Sequence, residues 1–145
     1  MNRETLSGAI VFLLLFSSGA MAGPPMKEGK WEITTTTEMK MPGMPFQMPP
    51  HTVTRTQCLS QETRVPETQQ SPEEKCKTIE RNVKGNTVTW VMECKGPEGT
   101  TRGEGKVVYK GDTFDGVFKM KMEGKEMEGA ETVHRMRGRW VGPCE

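Results

Sequence analysis

From Lys30 to Met41 the chain alternates. Trp31, Ile33, Met39 and Met41, with Thr35 and Thr37 between them, fall on one side of an extended chain. Glu32, Thr34, Thr36, Glu38 and Lys40 fall on the other. Period-2 order of this kind predicts a half-buried strand. Pro42-Gly43 ends it, and the stretch through Pro50 holds too many prolines for a central strand. Thr52 to Cys58 is β-branched and predicts a second strand. Leu59 to Lys75 is polar and irregular, and Ser71-Pro72-Glu73-Glu74 reads as a short helix start: N-cap serine, proline at the first position, acids in the first turn.

Two hairpins follow. Gly85-Asn86 separates Cys76–Lys84 from Thr87–Lys95, and a glycine first in a two-residue loop suits a type II′ turn. That register sets Val83 against Val88, Arg81 against Trp90 and Ile79 against Met92. Gly111-Asp112 repeats the device between Thr101–Lys110 and Thr113–Met122, setting Tyr109 against Phe114. Val107, Tyr109, Phe114, Phe118, Met120 and Met122 then share one face, and Lys106, Lys119 and Lys121 the other. Glu131 to Val141 places His134, Met136 and Trp140 opposite Arg135, Arg137 and Arg139. About seven antiparallel strands with one-sided apolar faces result, and no strand–helix–strand alternation points to a parallel sheet. The expected fold is all-β: an antiparallel meander closed or partly closed into a small barrel, with a β-sandwich as the alternative.

The N-terminus adds a compartment. Arg3, the apolar run Ile10–Phe16 and Ala20-Met21-Ala22 read as a cleaved export signal over residues 1–22, too short to span a bilayer, leaving one β domain at 23–145. No cysteine follows the cleavage site, so no stable membrane anchor is expected after cleavage. The four cysteines, Cys58, Cys76, Cys94 and Cys144, all lie in the mature part, and an even count in an exported small domain reads as disulfides. Strand direction selects among the three connectivities. If segment 59–75 crosses from one end of the sheet to the other, Cys76 meets Cys94 at one end and Cys58 meets Cys144 at the other. Strict alternation puts Cys76 and Cys94 on opposite faces of their hairpin, so this pairing needs a bulge or a strand end.

Net charge is +1, with no basic stripe, which argues against a nucleic-acid partner. The chain has no Gly-x-Ser-x-Gly, phosphate loop, His-Glu-x-x-His or Cys-x-x-Cys. With the cysteines oxidised, no thiol nucleophile remains. The chain therefore reads as non-enzymatic, with no cofactor.

Methionine is the outlier, at 12 residues. Trp31, Met39, Met41, Trp90 and Met92 are expected to line an adaptable interior together with Phe118, Met120, Met122, His134 and Met136. Such an interior suits a small apolar ligand or a protein partner. Met39, Met41, Met44 and Met48, with His51 beyond them, form a second candidate: thioethers are soft ligands that suit Cu(I) in an oxidising compartment. The bland reading of both sets is core packing and a covered barrel mouth, with His134 a hydrogen-bonded interior histidine.

Several segments carry a likeness: Gly29-Lys30-Trp31-Glu32-Ile33-Thr34; Met41-Pro42-Gly43-Met44-Pro45, running on to Pro49-Pro50 and Gln57-Cys58-Leu59; and Gly85-Asn86-Thr87-Val88-Thr89-Trp90 with Cys94. Tyr109-Lys110-Gly111-Asp112 with Phe114-Asp115-Gly116, and Gly138-Arg139-Trp140-Val141-Gly142 ending in Cys144, complete it. Together they resemble the bacterial exported family named domain of unknown function 3617, over almost the whole mature chain. The resemblance implies a Gram-negative protein, periplasmic or secreted. It brings no activity and no site residues.

Overall fold

Short two-residue turns and period-2 strands build one antiparallel sheet. The computed structural model describes residues 26–46, 48–66, 73–97, 99–123 and 129–145. The export signal lies outside them, as do Ser71 and Pro72; Glu73 and Glu74 lead into a strand with no helical turn. The strands are β1 (Gly29–Lys40), β2 (His51–Leu59), β3 (Lys75–Lys84), β4 (Thr87–Gly96), β5 (Gly99–Tyr109), β6 (Thr113–Glu123) and β7 (Glu131–Gly142). Their order in the sheet is β2-β1-β7-β6-β5-β4-β3.

The turns follow their residues. Gly85 has φ 58° and Gly111 φ 81°, each first in a two-residue loop, and Tyr109 pairs with Phe114 as expected. Pro42 and Gly43, at φ 82°, are the central pair of a type II turn in which Met44 N–H donates to the Met41 carbonyl.

The last strand pairs with the first, antiparallel, yet the sheet does not close. Directions alternate along seven strands, so the edge strands β2 and β3 run the same way. Joining them would need a parallel pair in an otherwise antiparallel ladder, with slanted, less stable bonds. The expected barrel is therefore an open, curled sheet. Its curl shows in the rings: Trp31 on β1 and Tyr109 on β5 have centroids 5.8 Å apart. In a flat sheet those strands, three spacings apart, would stand about 14 Å from each other.

β2 and β3 run the same way, so the chain between them leads from one end of the sheet to the other, and both disulfides form as expected. Cys58–Cys144 ties β2 to the chain end across 86 residues, and Cys76–Cys94 ties β3 to β4 across 18. The alternation conflict is relieved at Ile79. The register shifts between Thr78 and Glu80, so Thr78, not Ile79, faces Met92, and Cys76 comes opposite Cys94. Ile79 is extruded and 43% exposed.

Polar pairs fix the outer face. Thr34 and Thr36 meet Thr54 and Thr52 hydroxyl to hydroxyl at 3.0 Å. Arg135, Arg137 and Arg139 stand against Glu38, Asp115 and Glu32 at 3.5, 3.8 and 2.8 Å. Exposed ion pairs of this kind contribute little to stability but penalise a slipped register. The hydrogen bond and charge of Arg139 hold the Glu32 carboxyl below its usual range.

Candidate functional site on the concave face

The register lays the inward side chains out as rows across the sheet. One row carries Ile33, Gly138, Phe114 and Tyr109; the next Met136, Gly116, Val107 and Val88; the next His134, Phe118, Gly105 and Trp90; the next Met39, Thr132, Met120, Gly103 and Met92. Glycine alternates with large rings by design of packing. A Cβ at Gly138 would enter the Phe114 ring, one at Gly105 the Trp90 ring, and one at Gly103 the Phe118 ring. Each ring lies flat over a neighbouring strand that has no side chain, and the sheet can bend there.

The rows near the start of β1 are filled and sealed. Trp31, Ile33, Val107, Tyr109, Phe114 and Phe118 are at most 1% exposed. Trp31 touches both Tyr109 and Phe114, with centroids 5.8 and 5.4 Å away. Segment 60–66 runs across this end. The Tyr109 hydroxyl donates to the Arg64 carbonyl, and Arg81 donates to the Glu62 carbonyl at 2.7 Å. Burial pushes the Tyr109 phenol well above its usual range, so it stays a donor. Residues 26–28 close the other side: the Trp31 and Trp140 indoles donate to the Lys27 and Glu28 carbonyls at 2.9 and 3.0 Å. Lys27 lies 3.5 Å over the Trp140 ring, a cation–π contact.

Four of the expected lining residues therefore belong to the solid core: Trp31, Trp90, Phe118 and Met136. At the opposite end the same face is less buried, although Cys94 and Thr101 at its far row are buried. Met92, Met120 and Met122 are half-buried, Met39 is 37% exposed, and Met41 is half-buried just past β1. His134 stands at the boundary. Its ring stacks on Phe118 with centroids 6.0 Å apart, its Nδ1 lies 2.9 Å from the Thr37 hydroxyl, and burial lowers its pKa from 6.5. Among the described residues, the curl of the sheet makes this half-exposed methionine surface a trough, with an aromatic end wall and with the His134 imidazole and the Thr37 hydroxyl as its polar groups.

The five candidate soft-metal ligands all fall on the β1–β2 hairpin: Met39 and Met41 at the end of β1, Met44 and Met48 exposed in the connection, His51 exposed at the start of β2. Among the described residues no three His, Cys, Asp or Glu side chains form a metal-binding group. A feature unanticipated from sequence is a depression of about 380 Å³ on the outer face. Val91 and Val117 lie in it, ringed by Glu80, Glu104, Lys106 and Lys119. Its only sequence signal is two valines out of phase with the apolar face.

A family model described as protein of unknown function (DUF3617) matches residues 26–144. The chain belongs to this family. The match runs from Met26, which seals the aromatic end, to Cys144, which staples the last strand to β2, so the family pattern spans the whole described sheet. Neither the curated proteins nor the solved structures yielded a match.

Proposed function

We propose that this DUF3617 protein is a non-enzymatic binding protein exported to the periplasm, and that it takes a small apolar ligand into the methionine trough. One observation carries the reading: a single continuous apolar face is fully buried at one end, while toward the other Met39, Met92, Met120 and Met122 stay partly exposed. Thioethers on flexible stems adapt to varied apolar shapes. Thr37 and His134 offer the few polar contacts that orient a ligand in such sites. Two formed disulfides fit folding in an oxidising compartment.

The test is titration of the purified, oxidised protein with a long-chain fatty acid, read by tryptophan emission, since Trp90 stacks on Phe118 at the end wall. Saturable binding is expected. Met120→Lys, which sets a charge among these methionines at a half-buried position, should abolish it. Equal binding by wild type and Met120→Lys would remove the trough from consideration. Titration of the same protein with Cu(I) separates the soft-metal reading, which requires Met44 and Met48 where the trough does not.

A further inference from the structure

The β1–β2 connection is a different surface from the trough. Residues 41–50 read Met-Pro-Gly-Met-Pro-Phe-Gln-Met-Pro-Pro, ten residues without a charge in a chain of which 27% is charged. The apolar side chains point outward: Phe46 is 75% exposed, Met44 56% and Met48 50%. The opposite end of the sheet is built differently, from the polar turns Gly85-Asn86 and Gly111-Asp112. The exposed Met44, Phe46 and Met48 thus stand at the end of the sheet opposite those polar turns.

We propose that this connection docks the protein reversibly on a lipid bilayer, with Met44, Phe46 and Met48 entering the headgroup–acyl boundary. The backbone favours a bilayer over a protein partner. Pro42, Pro45, Pro49 and Pro50 have no N–H, so this segment carries four fewer donors that would need partners on leaving water. The exposed apolar surface of the tip is three side chains within ten residues, well short of the roughly 20–30 residues a side of a stable protein interface. The type II turn at Pro42-Gly43 spends the Met44 N–H internally, on the Met41 carbonyl. Pro42 also packs on Gly129 of the β6–β7 connection, which props the base of the tip. Lys40 and His51, both exposed, flank the segment where a headgroup region would hold polar side chains. Three inserted side chains give weak, reversible attachment. The proposal stands whether or not the trough binds anything.

Flotation with neutral phosphatidylcholine vesicles tests it. The wild-type protein, oxidised and with residues 1–22 removed, should float with the vesicles, and a roughly tenfold rise in salt should leave the bound fraction unchanged, because apolar insertion is not screened. Phe46→Ser with Met48→Ser should lower partitioning at least about tenfold at an unchanged melting temperature, since both positions are exposed. Met120→Lys should float like wild type, which separates this surface from the trough. Failure to float, flotation that survives the double substitution, or flotation abolished by salt would each overturn the proposal. A photo-crosslinker at position 46 in intact cells should label lipid, and labelling confined to one protein would overturn it in favour of a protein partner.

Discussion

The two halves of the concave face share strands and alternation, yet one is fully buried and the other is not. Tyr109, Phe114 and Trp31 fill the sealed half, where glycine at 138 leaves room for the Phe114 ring to lie down. The chain returns over them through residues 26–28 and 60–66. The open half has the same sheet beneath it, but Met39, Met92, Met120 and Met122 stay partly in water. Among the described residues the difference therefore lies less in the apolar pattern than in the path of residues 26–28 and 60–66 over one half. A strand pattern sets which side is apolar, and the covering segment decides whether that side is core or site.

The disulfides sit at opposite ends and weigh the two halves separately. Cys58–Cys144 closes 86 residues beside the sealed half, and Cys76–Cys94 closes 18 beside the open one. By loop-closure entropy the first contributes about 4–5 kcal/mol and the second about 3 kcal/mol. Replacing both cysteines of each pair by serine avoids a stray thiol. Urea unfolding should then show the larger loss for Cys58→Ser with Cys144→Ser. The reverse order would mean that the open half carries the cooperative core.

Truncating the same side chain in each half is the next most sensitive comparison. Met136 is 2% exposed beneath the sealed rows, and Met136→Ala should cost about 2–5 kcal/mol. Met120 lies two rows on and is half-buried, and Met120→Ala should cost about 1 kcal/mol or less. Equal losses in chemical denaturation would show the trough to be as solid as the core. Gly138→Ala tests the sealed half from below. Its Cβ would enter the Phe114 ring, so a loss of about 1–3 kcal/mol is expected. Adding Phe114→Leu should recover part of it, and no recovery would place the strain elsewhere.

Much of this was legible from residues. Gly85-Asn86 and Gly111-Asp112 set two registers through turn chemistry, and alternation assigned the faces of β1, β5, β6 and β7. Strand direction chose the disulfide pairing. The bulge was legible only as a conflict, because nothing in Lys77-Thr78-Ile79-Glu80 marks which residue is extruded; the Cys76–Cys94 bond decides it. Closure was not legible, because it depends on the parity of strands between the edges. The lining was half legible. Trp31, Trp90, Phe118 and Met136 share a face with the half-exposed methionines, and among the described residues the path of segment 60–66 marks the buried rows.

His134 stands on the boundary between the halves and reports on both. Burial lowers its folded-state pKa below 6.5, so the neutral ring is the form the fold favours. As pH falls, the unfolded chain takes up this proton first. The stability present above pH 6.5 is therefore lost as pH drops below it, at no more than about 1.4 kcal/mol per pH unit. The loss stops once the folded ring itself is protonated. His134→Gln, which keeps a polar partner for Thr37, should flatten the dependence between about pH 7 and pH 5. An unchanged slope would mean that water already reaches the ring and that the open half extends back to Phe118. An apolar ligand in the trough sharpens the same measurement, because displacing water from beside the imidazole raises the cost of charging it. Ligand affinity should therefore fall with pH over this range in wild type and stay level in His134→Gln, which makes the ring a gauge of how dry the open half becomes when occupied.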